Sequence, residues 1–389
     1  MADTKIPNDL PRELIAKLIS FDTVSRNSNM VLLDFVRDYL GQLGVESKLV
    51  PNEDGSKANL YATIGPNVPG GVVLSGHTDV VPVDGQDWST DPFSLVEREG
   101  KFFGRGVADM KTYCALAMAV LPDFLKSNPS RPIHLAFSYD EEVGCIGAPS
   151  MIEKMVGDVP KPMAVIVGEP TDMQVVTGHK SILGVRTHVT GHSVHSCQVD
   201  RGVSAVMTAA RLVTYLEDMM LENKRLSDPT SPFDPPYSTI HCGVIEGGTA
   251  HNIVAKDCRI VTDIRTVAGE SPMEFYDRFE THIRDEIEPK IKAIAPDAGI
   301  VLAPGKMVPG LKPEVNGAAE QLARQITGDN GVHAVSYATE AGQFQTAGYS
   351  TVICGPGSID QAHQPDEFIT LEQVAEGWAF MQRVAEVLR

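Results

Sequence analysis

The sequence of 389 residues is short of basic side chains and of long apolar runs. Its 33 Lys and Arg against 51 Asp and Glu give a net charge of −18. This charge argues against a nucleic-acid partner, because phosphate binding depends on clustered basic residues. No run approaches the roughly 20 apolar residues that span a bilayer, so no membrane partner is expected. The N-terminus lacks the apolar region of a signal peptide, and we predict a cytoplasmic protein.

The six cysteines are scattered along the chain and form no Cys-x-x-Cys pair. This spacing is typical of reduced thiols in a cytosolic enzyme and argues against a disulfide framework or a cysteine-based zinc site. A metal ion in this protein is therefore expected to bind histidine and carboxylate side chains. The composition, 42% hydrophobic and 22% charged, is that of a globular protein, and the length favours two domains.

Strand-like and helix-like segments alternate in the first and last parts of the chain. This alternation predicts a mostly parallel sheet covered by helices on both faces. Between them the order is strand, helix, strand, strand, helix, strand, which is typical of a ferredoxin-like domain. We therefore predict an α/β domain at 1–181 and 305–389, with an inserted lid at 182–304. Among the predicted elements are strands at Ile133–Ser138 and Ala164–Val167 and helices at Lys111–Leu125 and Glu314–Thr327.

A first polar motif, Gly76-His77-Thr78-Asp79, follows a short apolar run. His77 is expected at the carboxyl end of a strand, where open α/β sheets bind their ligands. Asp79 lies close enough in sequence to accept the distal ring N–H of His77 and so orient the ring for a metal ion. A strand-end histidine and aspartate can equally stabilise a turn. The motif alone leaves both interpretations open.

Further candidates follow other strand-like or glycine-rich segments. Asp109 comes after Gly104-Arg105-Gly106, where it could also be the N-cap of a helix. Glu141 and Glu142 belong to a run of three carboxylates that is costly to bury without cations, although a solvated loop would carry them too. Adjacent side chains in an extended segment point apart, so one could bind a metal ion while the other faces water at that ion.

Two more candidates, Glu169 and His363, complete the set. Glu169 follows a β-like run, and His363 ends a Gly- and Pro-rich loop after another strand-like segment. Each motif is weak evidence by itself. Because the carboxyl ends of parallel strands meet at one edge of a sheet, their recurrence predicts one shared metal site.

In order and spacing, these motifs resemble the di-zinc peptidase and deacylase family that contains acetylornithine deacetylase, desuccinylases and aminoacylases. The resemblance extends over essentially the whole chain. It is closest to the acetylornithine deacetylase group in Gly355–Glu367 and in Thr339-Glu340-Ala341. One departure is Met110, which stands where many members have a second aspartate, a position that is not a metal ligand in the family.

The resemblance implies two divalent metal ions, zinc or cobalt, and assigns roles to the motif residues. His77 and Glu169 would hold one ion, and Glu142 and His363 the other. Asp109 would bridge the two ions. The remaining implied roles are the general base and the carboxylate that orients the first histidine, which fall to Glu141 and Asp79.

In the inserted domain the resemblance implies that His195 stabilises the oxyanion and that Asn252 and Arg265 bind the substrate carboxylate. Arg265 could instead pair with Asp263 on a sheet surface. The resemblance also implies a homodimer and an N-acyl amino acid substrate. N-acetyl-L-ornithine, cleaved to L-ornithine and acetate in arginine biosynthesis, is the closest match. A desuccinylase or another deacylase of the family, and a non-catalytic metal- or peptide-binding protein on the same fold, remain alternatives.

Overall fold

A computed structural model describes residues 6–389, so most of the N-terminal segment used for the signal-peptide prediction lies outside the described residues. The chain forms two compact units. One consists of the chain up to Gly178 together with Pro313–His333 and Thr339–Arg389, and the other of His179–Lys312 and Ala334–Ala338. Among residues 6–389, no helix has the length and apolar character needed to cross a membrane.

The strands, in chain order, are β1 Ser47–Pro51, β2 Ala58–Ile64, β3 Val72–His77, β4 Val96–Arg98, β5 Lys101–Phe103, β6 Ile133–Ser138, β7 Ala164–Val167, β8 Val176–His179, β9 Ser181–Thr190, β10 Thr239–Gly247, β11 Asp257–Thr266, β12 Gly299–Pro304, β13 His333–Val335, β14 Thr351–Ile353 and β15 Phe368–Thr370. The helices are α1 Arg12–Ile19, α2 Met30–Gln42, α3 Lys111–Ala119, α4 Leu121–Lys126, α5 Ala148–Asp158, α6 Ala205–Arg225, α7 Pro272–His282, α8 Glu288–Ile294, α9 Ala318–Thr327, α10 Ala341–Thr346 and α11 Leu371–Val387. A π-helical turn, Ile283–Ile287, joins α7 to α8.

The large sheet has the strand order β1-β2-β6-β3-β7-β14-β8-β13. Its central strands β6, β3, β7 and β14 pair in parallel, whereas β1 and β2 add antiparallel pairs at one side. Every residue of β3, β6 and β7 is buried, as expected of parallel strands covered on both faces. Each fully buried Leu, Ile or Val contributes about 1.5–3 kcal/mol through removal of apolar surface from water.

Gly355 allows β7 and β14 to approach each other closely where both strands end, and Gly168 leaves room for the Tyr113 ring of α3. A Cβ added to Gly355 would lie 2.1 Å from the carbonyl oxygen of Gly168, and one added to Gly168 would meet the Tyr113 ring at 2.2 Å. No larger side chain fits at either position. The segments that follow, beginning at Glu169 and Pro356, therefore leave the sheet side by side.

The second unit contains an antiparallel sheet with the order β10-β11-β9-β12. Residues of β9 and β11 alternate between buried and more exposed, and the buried ones pack with α6 and α7. Together with the order of its elements, this is the ferredoxin-like arrangement. The α/β class with a ferredoxin-like insert that the sequence predicts is confirmed.

The predicted helix at Lys111–Leu125 is wrong in one respect, because the structure divides it at Val120 into α3 and α4. Pro122 lies in the first turn of α4, where a missing backbone N–H costs nothing. The helix predicted from Glu314 begins only at Ala318. Asn316 has a left-handed φ of 57°, which a helix cannot contain.

His134 is a buried histidine of β6 whose ring accounts for a pH-dependent part of the stability. Its Nδ1 lies 2.9 Å from Thr63 Oγ1, and within the described residues its Nε2 has no hydrogen-bond partner. Burial lowers the pKa of His134 from 6.5 to about 4. The unfolded chain therefore binds a proton that the folded chain excludes. The contribution of the neutral His134 to the free energy of unfolding is fully present above about pH 6.5. It falls by up to about 3 kcal/mol as the pH drops towards 4.

We expect His134→Gln to flatten this part of the stability profile. The measurement is urea unfolding of both proteins at pH values between 4 and 8, followed by tryptophan fluorescence. Trp88 and Trp378 both belong to the first unit, so the signal reports the unit that contains His134. Other titrating groups cancel in the difference between the two proteins. Parallel profiles for wild type and variant would contradict the assignment.

Candidate metal centre

The four parallel strands of the large sheet end at the same edge, where open α/β sheets bind ligands. β3 ends with His77 itself, which is buried. The loop after β6 contains Glu141 and Glu142, and Glu169 follows β7 by two residues. The loop after β14 carries His363, whose side chain is 48% exposed. The structure thus brings these predicted residues to one edge of the sheet.

Asp109 lies at the middle of this cluster and faces both histidines. Its Oδ1 is 2.8 Å from Nε2 of His77, and its Oδ2 is 3.2 Å from Nε2 of His363. Each histidine also has a glutamate nearby. Glu169 Oε1 lies 3.9 Å from Nε2 of His77, and Glu142 Oε2 lies 3.1 Å from Nε2 of His363. The arrangement is two His–Glu pairs that share one aspartate.

Asp109 is not a helix cap, the alternative that the sequence left open. The N-cap of α3 is Met110, and the Asp109 carboxylate points at the histidines. Its main chain is fixed by Glu367, whose Oε1 accepts the N–H groups of Ala108 and Asp109 at 2.8 and 3.1 Å. The other oxygen of Glu367 accepts Nη1 of the buried Arg105 at 2.7 Å.

The supporting role of Glu367 was missed at the sequence level. The available signal was Arg105, because an arginine next to a buried motif needs a carboxylate partner. That partner lies 262 residues away in sequence, so nothing local identifies it.

The predicted hydrogen bond from His77 to the Asp79 carboxylate is wrong. Nδ1 of His77 lies 2.8 Å from the main-chain oxygen of Asp79 and 3.7 Å from its carboxylate. The chain turns after β3 so that the carbonyl reaches the ring first. The carbonyl can only accept a hydrogen bond, so Nδ1 carries a proton, and Nε2, which faces Asp109, is the ring atom that a metal ion could bind in place of a proton.

The Asp79 carboxylate instead holds the loop that carries the glutamates. Its two oxygens accept the main-chain N–H groups of Glu141 and Glu142 at 3.1 and 3.3 Å. Ser25 Oγ donates a further hydrogen bond at 2.7 Å. Asp79 is therefore a positioning residue for two neighbouring carboxylates rather than for the histidine ring.

Glu141 and Glu142 have different surroundings. Glu142 reaches the His363 ring, whereas Glu141 Oε1 lies 3.1 Å from Sγ of Cys145, which can donate a weak hydrogen bond. Ligand atoms of His77, Glu141 and Glu169 lie within 4.8 Å of one another, and so do those of His77, Asp109 and Glu142. Proximity alone therefore does not separate a ligand from a base in this pair.

The ionisation of the cluster reflects burial and unbalanced negative charge. Burial, with the neighbouring charges of Glu142 and Asp109, raises the pKa of Glu141 to about 8. Burial and Asp109 raise the pKa of Glu142 to about 6. Hydrogen bonds to Asp109 and Glu142 raise the pKa of His363 to about 10. Burial would lower the pKa of His77, but Asp109 and Glu169 raise it well above 6.5.

This donor set fits divalent cations. Oε1 of Glu142 and Oε1 of Glu169 are buried and have no hydrogen-bond partner within residues 6–389. A buried carboxylate oxygen without a donor is costly unless a cation lies against it. Histidine and carboxylate together suit Zn²⁺ and other first-row metals. The six cysteines are all free, and none of them is needed in the ligand set.

His195, Asn252 and Arg265 belong to the second unit. The exposed His195 accepts the N–H of Cys197 at its Nδ1, 3.2 Å away, and the next residue, Ser196, donates its N–H to the carbonyl of Asn252 at 3.0 Å. His195 and Asn252 therefore lie on adjoining backbone segments.

Arg265 forms the ion pair that the sequence left as an alternative. Its Nε lies 2.8 Å from Oδ2 of Asp263, and its Nη1 lies 3.4 Å from the carbonyl oxygen of Ser336. Both charged side chains are partly exposed. The pair fixes the guanidinium on the surface of the sheet in the second unit.

The sequence is similar to curated proteins over nearly its full length. It is 34% identical over 374 residues to an acetylornithine deacetylase of Proteus mirabilis (strain HI4320), covering 94% of this chain and 93% of that relative. It is 32% identical over 385 residues to an acetylornithine deacetylase of Myxococcus xanthus, with 96% of each covered.

The fold is similar to solved structures at much lower sequence identity. An aminopeptidase PepT from Bacillus cereus superimposes with a TM-score of 0.76 at 17% identity, covering 98% of this chain and 99% of that one. A dinuclear metal-binding peptidase of the M20 family from Bacillus subtilis gives 0.63 at 15% identity, with the same coverage.

The sequence model of peptidase family M20/M25/M40 matches residues 73–387, a range that includes the histidine and carboxylate cluster and the inserted unit. The resemblance found in the sequence motifs is confirmed by this match and by the similar curated proteins. The chain therefore belongs to peptidase family M20/M25/M40 and is a metal-dependent amidohydrolase.

Proposed function

We propose that the protein hydrolyses N-acetyl-L-ornithine to L-ornithine and acetate, a step of arginine biosynthesis, with two zinc or cobalt ions. The observation that carries the metal chemistry is Asp109, whose two oxygens each face a His–Glu pair. The substrate is supported by the acetylornithine deacetylases that are 32–34% identical over almost the whole chain. The six free cysteines are in keeping with a cytoplasmic enzyme.

In this proposal each half of the cluster holds one metal ion. His77 and Glu169 would hold one ion, and Glu142 and His363 would hold the other. Asp109, whose oxygens face both histidines, would be shared between them. The unpartnered oxygens of Glu142 and Glu169 support these assignments, because a cation would satisfy both. Asp79 positions the glutamate loop.

When bound, the two ions would polarise the substrate carbonyl and lower the pKa of water near them. Glu141 then acts as general base and general acid. Its carboxylate takes a proton from the attacking water, and the same proton goes to the amine as the C–N bond breaks. Acetate and a free amino group result.

The residues of the second unit bind the rest of the substrate in this proposal. Because Nδ1 of His195 accepts a backbone N–H, its neutral ring carries the proton on Nε2 and can donate it to an oxyanion. Arg265 and Asn252 bind the carboxylate of the amino acid. The guanidinium retains donors beyond its bond to Asp263, since it has five.

We also propose a homodimer formed through the inserted unit. β10 is an edge strand of the four-stranded sheet and exposes Val244 and Ile245. An exposed apolar edge favours pairing with a second copy, and symmetric dimers are the commonest oligomers.

A substrate panel tests the proposed function. Metal-free protein is loaded with Zn²⁺ or Co²⁺ and assayed with N-acetyl-L-ornithine, N-succinyl-L,L-diaminopimelate, other N-acetyl amino acids and dipeptides. We expect kcat/KM for N-acetyl-L-ornithine to exceed that for the succinyl substrate by about 100-fold, because the second carboxylate needs a cationic partner in the acyl pocket. Glu141→Gln prepared in parallel controls for contaminating hydrolases. Preference for the succinyl substrate or a dipeptide would overturn the substrate assignment.

A further inference from the structure

His363 differs from the other residues of the metal centre in two ways. Its side chain is 48% exposed, whereas those of His77 and Glu169 are 1% and 5% exposed. Its backbone is also left-handed, with φ of 60°, and Asp366 in the same turn has φ of 52°. Only a few per cent of non-glycine residues adopt this conformation, so the turn needs external contacts to keep it.

A second loop supplies those contacts. Gln86 Nε2 donates to the carbonyl oxygen of His363 at 3.1 Å. The N–H of Ser89 donates to Oδ1 of Asp366 at 2.8 Å. Each of the two left-handed residues is thus held by one hydrogen bond from the segment Gln86–Ser89.

The orientation of the Gln86 amide is fixed by donors on its other side. Its Oε1 accepts Nη2 of Arg105 at 2.6 Å and Nε1 of Trp88 at 3.1 Å. Two donors at one atom identify that atom as the oxygen, so the NH₂ group must face His363. The Arg105 guanidinium lies 5.0 Å from the centre of the Trp88 ring, which adds a cation–π contact.

Arg105 connects this contact to the other side of the metal centre. Its Nη1 binds Glu367, and Glu367 accepts the main-chain N–H of Asp109. One buried guanidinium therefore supports both the shared aspartate and, through Gln86, the exposed histidine. One network thus contacts the main chain of both ligands.

We propose that Gln86 is a positioning residue that holds the main chain of His363, so that the imidazole faces Asp109 and Glu142 before a metal ion binds. The inference rests on the proposed two-metal centre and deepens it. Without the Gln86 contact the exposed histidine must be ordered at the moment of binding, and the affinity of one site falls. His77 and Glu169 do not contact Gln86, and Glu367 still holds both Arg105 and the main chain of Asp109, so the site that they form keeps its affinity.

The test is a zinc titration of metal-free protein in competition with a chromophoric chelator. In Gln86→Ala and Gln86→Glu we expect one of the two sites to weaken by about tenfold or more, the effect of losing an outer partner of a metal ligand. Gln86→Glu should be at least as affected, because it can still accept from Arg105 but presents an oxygen to the His363 carbonyl. His363→Ala gives the lower limit for that site.

Asp84→Asn is the matched control. Asp84 lies in the same loop and pairs with Arg26 at 2.7 Å on the exposed surface, so its substitution changes a loop side chain and removes no contact with His363. Hydrogen exchange of the metal-free proteins gives a readout that needs no metal. The hydrogen-bonded amides of Ser89 and Ala362, which lie on the two sides of this contact, should exchange faster in both Gln86 variants and at the wild-type rate in Asp84→Asn.

The inference would be overturned if both zinc sites kept their wild-type affinity in both Gln86 variants. Equal weakening of both sites would also overturn it, because that result indicates general destabilisation. Failure of the underlying proposal is distinguishable from either result. A wild-type protein that binds fewer than two zinc ions contradicts the proposed metal centre itself.

Discussion

Glu141→Gln is expected to retain both metal ions and to lose essentially all activity. Removal of a general acid–base group costs on the order of 10²–10⁴-fold in rate. The loss here should exceed the upper end of that range, because in the proposed mechanism one carboxylate serves both proton transfers. Glutamine keeps the size of the side chain and cannot accept the proton from water. The measurements are kcat with N-acetyl-L-ornithine and metal content by mass spectrometry.

This variant shows which of Glu141 and Glu142 is the metal ligand and which is the general base, because both lie near the other candidate ligands. Glu141 lies within 4.8 Å of His77 and Glu169, as a metal ligand would, and the neighbouring Glu142 forms a similar group with Asp109. The contact of Glu142 with His363 at 3.1 Å supports Glu142 as the ligand.

Glu142→Gln and His363→Ala are the matched variants. Each should lose one of the two ions, since each removes a donor from the same site. If Glu141→Gln loses metal in proportion to its activity while Glu142→Gln keeps two ions, the roles of the two glutamates are reversed.

Much of the fold could be predicted because the central strands are mostly apolar. Ile133–Ser138 and Ala164–Val167 have the predicted bounds, since a mostly apolar run between polar segments is typical of a parallel strand buried on both faces. The small sheet of β4, β5 and β15 was not predicted. Its strands have three residues each, too few for a period to be recognised.

The boundaries between the two compact units depend on tertiary contacts that cannot be predicted from the sequence. The structure assigns His179–Lys312 and the short segment Ala334–Ala338 to the second unit, a wider span than 182–304. The added segment is distant in sequence. It contacts the second unit through bonds such as that from Arg265 to the carbonyl of Ser336. Every residue has a main-chain carbonyl, so the identity of Ser336 gives no indication that its carbonyl accepts a hydrogen bond from Arg265.

The candidate site shows the same division between local and distant information. His77, Asp109 and Glu142 were identifiable because each ends a strand-like or glycine-rich segment. Their supports were not, since the His77 ring is oriented by a backbone carbonyl and the Asp109 loop by Glu367. A sequence displays which side chains are present, whereas hydrogen bonds from main-chain groups depend on how the loops turn. The outer parts of the site could therefore be found only in the structure.

Mixed dimers are expected to recover activity from two inactive variants. We propose that His195 of one subunit serves the metal centre of the other, since members of the family that the motifs resemble dimerise through this insert and place their oxyanion histidine in the partner's site. Glu141→Gln and His195→Ala should each be inactive as homodimers. In a hybrid, the site with an intact Glu141 receives His195 from the Glu141→Gln chain and is complete, while the opposite site carries both defects. Random mixing at equal amounts should restore about a quarter of wild-type activity.

A second mixture separates exchange of the histidine from simple stabilisation of one variant by the other. Here the chain carrying both substitutions, Glu141→Gln and His195→Ala, is mixed with wild type. If His195 acts across the interface, every hybrid site lacks one group, and only the wild-type homodimers work, at about a quarter of full activity. If His195 acts within its own chain, each hybrid keeps one complete site and about half of the activity remains. Native mass spectrometry must show hybrids in both mixtures. Given hybrids, no recovery in the first mixture together with half activity in the second would mean that His195 serves its own subunit.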